Sequence, residues 1–153
     1  MTLATVAITN AIDDISISGV SIKNLSNIPE AVTPNDCPIL FPDPRSFISG
    51  VSVEWDSYGT DALANKHITY NLTYTFCFEP IGAGRGMLDI FDPWMDAVLA
   101  IMDGFIAASL TFNSVGGVEV NLQEVTPFGV IQDLAGNQFH GCQFVLQVIE
   151  FIN

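Results

Sequence analysis

The sequence predicts an α+β fold: a mainly antiparallel sheet flanked by an N-terminal helix and by a long apolar helix at about residues 93–110. Three observations predict it. Residues 68–78 alternate without a break: Ile68, Tyr70, Leu72, Tyr74, Phe76 and Phe78 point one way, and Thr69, Asn71, Thr73, Thr75 and Cys77 the other. That period of two marks a half-buried antiparallel strand. The stretch from Trp94 to Leu110 is instead apolar around most of a helical circumference. Finally, the elements run helix, strand, proline-rich segment, strands, helix, strands, an order that builds an antiparallel sheet with helices set against it. The 153 residues contain no repeat and no linker, so one domain spans 1–153.

Taken in order, residues 2–15 place Leu3, Ala7, Ala11 and Ile15 at helical spacing beside Ile8 and Ile12, with Thr2 as the expected cap. Residues 16–22 shift to alternation around Gly19 and predict a short strand. Residues 24–44 hold Pro29, Pro34, Pro38, Pro42 and Pro44. Proline fixes φ and removes a donor, so this segment is expected to be extended and irregular. Its Ile39, Leu40 and Phe41 predict packing along the domain or a neighbour. Val51, Val53 and Trp55 alternate in a strand over 47–55, followed by a polar turn at 56–66. After the long strand comes a glycine-rich turn at 80–86, and Asp92-Pro93 predicts the helix start, an N-cap oxygen followed by a proline at the first helical position. A turn at 115–118, strands at 118–126 and 128–132, turn chemistry at 133–137 and a last long strand at 138–152 complete the chain, with Gly141 a candidate bulge.

Composition narrows the function. Hydrophobic residues make up 49% of the chain and charged residues only 14%, against about 25% charged in an average soluble domain. The mean hydropathy of +0.41 agrees. The surface is therefore either in lipid or covered by protein. A span over residues 94–112 would bury Asp96 and Asp103, each at a cost of about 2.5–3.5 kcal/mol near the bilayer centre. No basic residue precedes the first apolar stretch, so no secretory signal is expected. Cover by partner subunits is the expectation that remains. Seventeen acidic residues face four basic ones, Lys23, Arg45, Lys66 and Arg85, scattered singly. Binding nucleic acid by phosphate neutralisation needs a basic stripe. The acidity serves solubility, or a surface that repels a polyanion. Cys37, Cys77 and Cys142 are odd in number and far apart, so they are expected as reduced, small apolar residues of an intracellular product.

No motif predicts a catalytic, cofactor or metal site. Gly82, Gly84 and Gly86 follow a strand, but they lack the GK[ST] ending and the GxGxxG spacing of phosphate loops. His140 and Cys142 sit two apart on a strand, with Asp133 upstream, and so face the same way. A thiol nucleophile also needs oxyanion donors and an orienting group, and the sequence signals neither. His67, His140 and the cysteines lack the close pairs of a zinc site. Asp13-Asp14 and Asp89 with Asp92 offer paired carboxylates for a cation, although Asp89 and Asp92 also suit a helix N-terminus. Asn24-Leu-Ser26 and Asn71-Leu-Thr73 fit the glycosylation pattern, which carries little weight without a secretory signal.

In plan, the chain resembles the tail terminator and tail-completion (neck) proteins of long-tailed bacteriophages. The features that carry the resemblance are the opening helix, Cys37-Pro-Ile-Leu-Phe-Pro-Asp-Pro44, and Tyr70-Asn-Leu-Thr-Tyr-Thr-Phe76 with its GAGRG exit. The apolar helix, Phe128-Gly-Val-Ile131 and Phe139-His-Gly-Cys-Gln-Phe144 follow. The likeness is one of plan and texture and spans nearly the whole chain. It implies an α+β fold and a structural virion protein without catalytic residues. Such a protein forms a ring, typically a hexamer, at the head-proximal end of the tail tube. Its partners are then its own copies, the tail tube protein and the head connector. It is assembled in the host cytoplasm and carried in the virion neck, with genomic DNA passing through unread and no membrane involved. Head-completion and connector-adaptor proteins are alternatives of the same class. A thiol enzyme using His140 and Cys142, and a monomeric module binding sugar or peptide on Tyr70, Tyr74 and Trp55, are alternatives of other classes.

Overall fold

The computed structural model describes residues 4–55, 66–82, 84, 86–113 and 117–152. Helix α1 (Thr5–Asp13) is followed by strands β1 (Ser21–Ile22), β2 (Ile39–Pro42), β3 (Ile48–Trp55) and β4 (Lys66–Pro80). Helix α2 (Met87–Asn113) leads into β5 (Val118–Val125), β6 (Gly129–Gln132) and β7 (Gln138–Ile152). The fold is α+β, as the sequence predicts. Every strand pair is antiparallel except β1 with β2, so the sheet is mixed.

The sheet is built on β4 and β7, two 15-residue strands paired along almost their whole length, from Lys66 opposite Ile152 to Pro80 opposite Phe139. The free edge of β4 takes β2 at one end and β3 at the other, and that of β7 takes β6 and β5. Alternation then sorts the side chains. Tyr70, Leu72, Tyr74 and Phe76 join Cys142, Phe144, Leu146, Val148 and Val120 on one face, beneath Ile8 and Ile12 of α1 and Trp94, Val98, Ile101 and Phe105 of α2. The Phe105 ring meets Tyr74 at 5.4 Å and Phe144 at 5.2 Å between centroids, within the range of favourable aromatic pairs. Each fully buried side chain here contributes about 1.5–3 kcal/mol. On the opposite face a smaller cluster of Val32, Ile39, Phe41, Cys77, Ile131 and Phe139 seats the proline-rich segment.

Several boundaries differ from expectation. Helix α2 begins at Met87 and Pro93 lies inside it, rather than Asp92 capping its start. Asp89 reaches back to accept the Gly86 N–H at 3.0 Å, and Ile90 is fully buried, so the turn ahead of the proline is both capped and packed. The alternation at 16–22 becomes a strand only at Ser21–Ile22. Ile15, Ile17 and Val20 are partly buried against the core instead, on a turn where Gly19 takes φ +79°. Part of the proline-rich segment is regular: Ile39–Pro42 joins the sheet beside β4, its prolines at the margins of the strand. The bulge lies on β4, between Cys77 and Glu79, rather than at Gly141. Gly141 serves a close approach, because a Cβ there would collide with the Phe76 carbonyl oxygen. The expected cap at Thr2, the polar turn at 56–65 and the turn residues 114–116 lie outside the described residues.

Candidate functional site

Of the residues the sequence singled out for a thiol site, His140 and Cys142 share one face while Asp133 is bonded elsewhere, and all three are employed in packing. His140 and Cys142 do share the helix-facing side of β7, as their spacing requires. Cys142 is fully buried in the main core, and burial pushes its thiol up to about 12. A thiol that far above neutrality is a poor nucleophile. His140 stacks on the Trp94 ring at 6.0 Å between centroids, and among the described residues neither its Nδ1 nor the Trp94 Nε1 has a hydrogen-bond partner. Asp133 is fully buried and is committed to backbone. Its Oδ2 accepts the Val32 N–H at 2.8 Å and the Asn137 side-chain amide at 2.9 Å, and its Oδ1 accepts the Asn137 N–H at 2.8 Å. Burial alone would push this carboxyl up, but those bonds and one from the Ala135 N–H outweigh it and hold it below the ordinary aspartate value. Asp133 thereby pins the proline-rich segment at Val32 to the turn between β6 and β7, and Arg45 adds two bonds to the carbonyls of Gln132 and Asp133.

The other candidates are dispersed. His67 pairs with Glu54 across β3 and β4 at 3.0 Å. The Asp13 carboxyl is pushed up by partial burial and by neighbouring Asp14, and among the described residues Asp13 Oδ1 and the nearby buried Tyr74 hydroxyl both lack partners. Asp89 is used within the first turn of α2. Gly82 and Gly84 take φ near +87° and +86°, as a turn demands. Among the described residues, no group of three or more His, Cys, Asp or Glu side chains is arranged to hold a metal ion. Tyr70 and Tyr74 are core residues, so they form no aromatic platform with exposed Trp55.

One polar network escaped the sequence reading. Glu150 occupies the helix-facing side of β7, accepting the Tyr70 O–H at 2.6 Å and the Ala4 N–H at 2.8 Å, while Thr5 Oγ1 bonds the same Tyr70 oxygen at 2.9 Å. It ties the start of α1, whose cap position holds Ala4 with no side-chain cap, to the sheet. The signal was present: Glu150 is the one acid in register with Cys142, Phe144, Leu146 and Val148.

What the fold leaves uncovered is the candidate site. Around α2, one side packs on the sheet, and a second meets α1 and the residues after it, Gly104 lying against Ile15. A third side carries Leu88, Phe91, Leu99, Ile106 and Leu110 in a ridge open to solvent, with Leu88 91%, Leu99 57% and Leu110 63% exposed. Asp92, Asp96 and Asp103 run beside this ridge. Exposed Phe128 and Val130 continue the apolar surface at the β6 edge, Phe128 stacking on Trp94 at 5.8 Å between centroids. A second patch lies on the opposite edge of the sheet, where β3 exposes Ile48, Val51, Val53 and Trp55, the last at 65%. Lys66 stands opposite Trp55 in the ladder. By length and composition α2 could cross a bilayer, with a mean hydropathy of 1.6 over its most apolar window. Its Trp94, Ile101 and Phe105 nevertheless close the main core, which withdrawal into lipid would open.

No protein-family model and no curated protein sequence matches the chain.

Proposed function

We propose that this chain is a structural subunit that works by assembling with copies of itself, as a tail terminator does. In this reading it forms a ring at the head-proximal end of a phage tail tube and joins the tube to the head connector. The observation that carries the assembly reading is the uncovered ridge of α2. A 27-residue helix whose inner side is fully buried presents a second, continuous apolar side to water. Contiguous exposed apolar surface of this kind marks a protein or membrane contact, and the place of Trp94, Ile101 and Phe105 in the core favours the protein contact. The placement at the tail rests on the resemblance in plan and on the charge. A net charge of −13 suits a channel through which DNA slides, since basic walls would grip the phosphates. The buried, high-pKa thiol of Cys142 and the commitment of Asp133 to backbone favour a structural role over a thiol enzyme.

Native mass and negative-stain imaging of the purified protein, alone and mixed with candidate tail tubes, test the proposal. A closed ring of about six copies is expected, in solution or templated on the tube end. A protein that stays monomeric in both conditions refutes it. A ring that binds the connector but no tube reassigns it to another neck position.

A further inference from the structure

We infer that copies of this chain join head to tail, the ridge of α2 on one copy lying across β3 of the next. The inference rests on the assembly reading above and adds which two surfaces meet. The first argument is placement. The two exposed apolar patches lie on opposite edges of one sheet, the ridge with Phe128 and Val130 on the β5–β6 side and the second patch on β3. One copy cannot bring them together, whereas successive copies related by a rotation can, and such a contact repeats until it closes into a ring. The second argument is the edge. Among the described residues β3 pairs only with β4, so its outer edge has no strand partner among them, beside exposed Val51, Val53 and Trp55. A long apolar edge of this kind is an association site unless something covers it.

Charge selects this pairing over a symmetric one. If two α2 ridges packed on each other, Asp92, Asp96 and Asp103 would face their own copies in a protein with four basic residues, and like charges across an interface oppose association. Head to tail, that acidic row instead reaches the rim of the β3 patch, where Lys66 is exposed beside Trp55. Arg45 is occupied by the carbonyls of Gln132 and Asp133. The ridge exposes roughly three whole apolar side chains, counted over Leu88, Phe91, Leu99, Ile106 and Leu110, so a stable contact must also take in Phe128, Val130 and the polar rim. A stable interface takes about 800 Å² from each partner.

The test uses two variants of the full chain, each damaging one surface at a solvent-exposed position: Leu99→Asp on the ridge and Val53→Asp on the edge. Native mass is measured for the wild type, each variant alone and their equal mixture, under whichever condition assembles the wild type, in solution or on tail tubes. Each variant alone should weaken association at least tenfold and remain monomeric. The mixture should give a one-to-one dimer and nothing larger, because only the intact ridge of one variant and the intact edge of the other can meet. That dimer also shows that both variants are folded. Assembly of Val53→Asp at wild-type strength overturns the pairing by removing β3 from the contact, and assembly of Leu99→Asp removes the ridge. A mixture that stays monomeric while the wild type assembles overturns the head-to-tail arrangement and leaves the assembly reading standing. A wild type that assembles in neither condition overturns both. Loss of ridge-dependent self-association in favour of co-sedimentation with phosphatidylcholine vesicles would replace the second copy by a lipid surface and overturn the pairing.

Discussion

Replacing Asp133 by Asn tests whether a single buried carboxylate fastens the proline-rich segment to the sheet. The side chain is fully buried and accepts from Val32, from the Asn137 backbone and from the Asn137 side chain, all at 2.8–2.9 Å. An amide keeps one acceptor oxygen. Oriented to preserve the two bonds at Oδ2, it turns its NH2 toward the Asn137 N–H, so one charge-assisted bond is lost and two donors face each other. A hydrogen bond to a charged group contributes about 1.5–3 kcal/mol, and a buried unsatisfied donor costs about 1–3 kcal/mol. The expected loss at pH 7 is therefore on the order of 3 kcal/mol. For a domain of this size that lowers Tm by about 6–12 °C. The pH dependence has a definite sign. A carboxyl held below its unfolded value stabilises the fold above that value, about 3.9, and the contribution disappears as pH falls through the folded pKa. The Tm gap between wild type and variant should thus be constant from pH 8 to about 5 and narrow below about 4. Differential scanning calorimetry across that range measures it. Equal Tm values at pH 7, or a gap that persists unchanged in acid, would refute the reasoning.

Gly141→Ala should destabilise by about 3 kcal/mol or more, because the new Cβ collides with the Phe76 backbone at the centre of the sheet. Gly104→Ala, whose new Cβ would lie 2.8 Å from Cγ2 of Ile15, a β-branched side chain stiff at χ1, should cost about 1–2 kcal/mol, a gain of about 1 kcal/mol in helix propensity offsetting part of the crowding; urea unfolding separates the two. Tyr70→Phe should cost about 1.5–3 kcal/mol by removing the donor to buried Glu150. The same change should speed amide exchange in the first turn of α1, read by NMR, and unchanged exchange there would detach the network from the helix. Cys37, half-buried with its thiol pushed up to about 11, should label first with iodoacetamide. Cys77 and Cys142 should label only in denaturant, and fast native labelling of Cys142 would reopen the enzyme reading.

Elements with a strong period were legible in the sequence, and those set by distant partners were not. The alternation from Ile68 to Phe78 located β4 because each of its faces meets a different environment. The last strand was legible for the same reason, from Phe144 to Val148. Asp92-Pro93 misled about α2 because local cap chemistry competed with burial of Ile90 and with Asp89 reaching back to Gly86, and the tertiary term prevailed. Residues 16–20 alternate because Ile15, Ile17 and Val20 pack beneath α2, a reason that periodicity cannot tell from strand pairing. Asp133 was noticed as a possible partner of a catalytic pair, yet its use depends on Val32, 101 residues away in sequence. Glu150 could have been found, since a lone acid on an apolar face requires a donor.

The surplus of apolar residues becomes interpretable only once the core is drawn. The sheet, α1 and the inner side of α2 account for Tyr70, Tyr74, Trp94, Phe105 and Phe144, all nearly or fully buried. Leu88, Leu99 and Leu110 on α2 and Val51, Val53 and Trp55 on β3 remain outside that account, exposed on opposite flanks. A chain selected only to fold and stay dissolved gains nothing from those six side chains, and each would raise its tendency to aggregate. The acidic row beside the ridge has the complementary effect. With Asp92, Asp96 and Asp103 at its margin, a ridge packed on another ridge would set like charges against each other, whereas on β3 the exposed Glu54 is paired with His67 and Lys66 is exposed. In the proposed assembly, apolar surface would supply the tendency to associate and charge would select which surface is met. In the proposed assembly, the acidic composition that argues against a basic nucleic-acid surface would also oppose a symmetric dimer and favour the repeating contact of a ring.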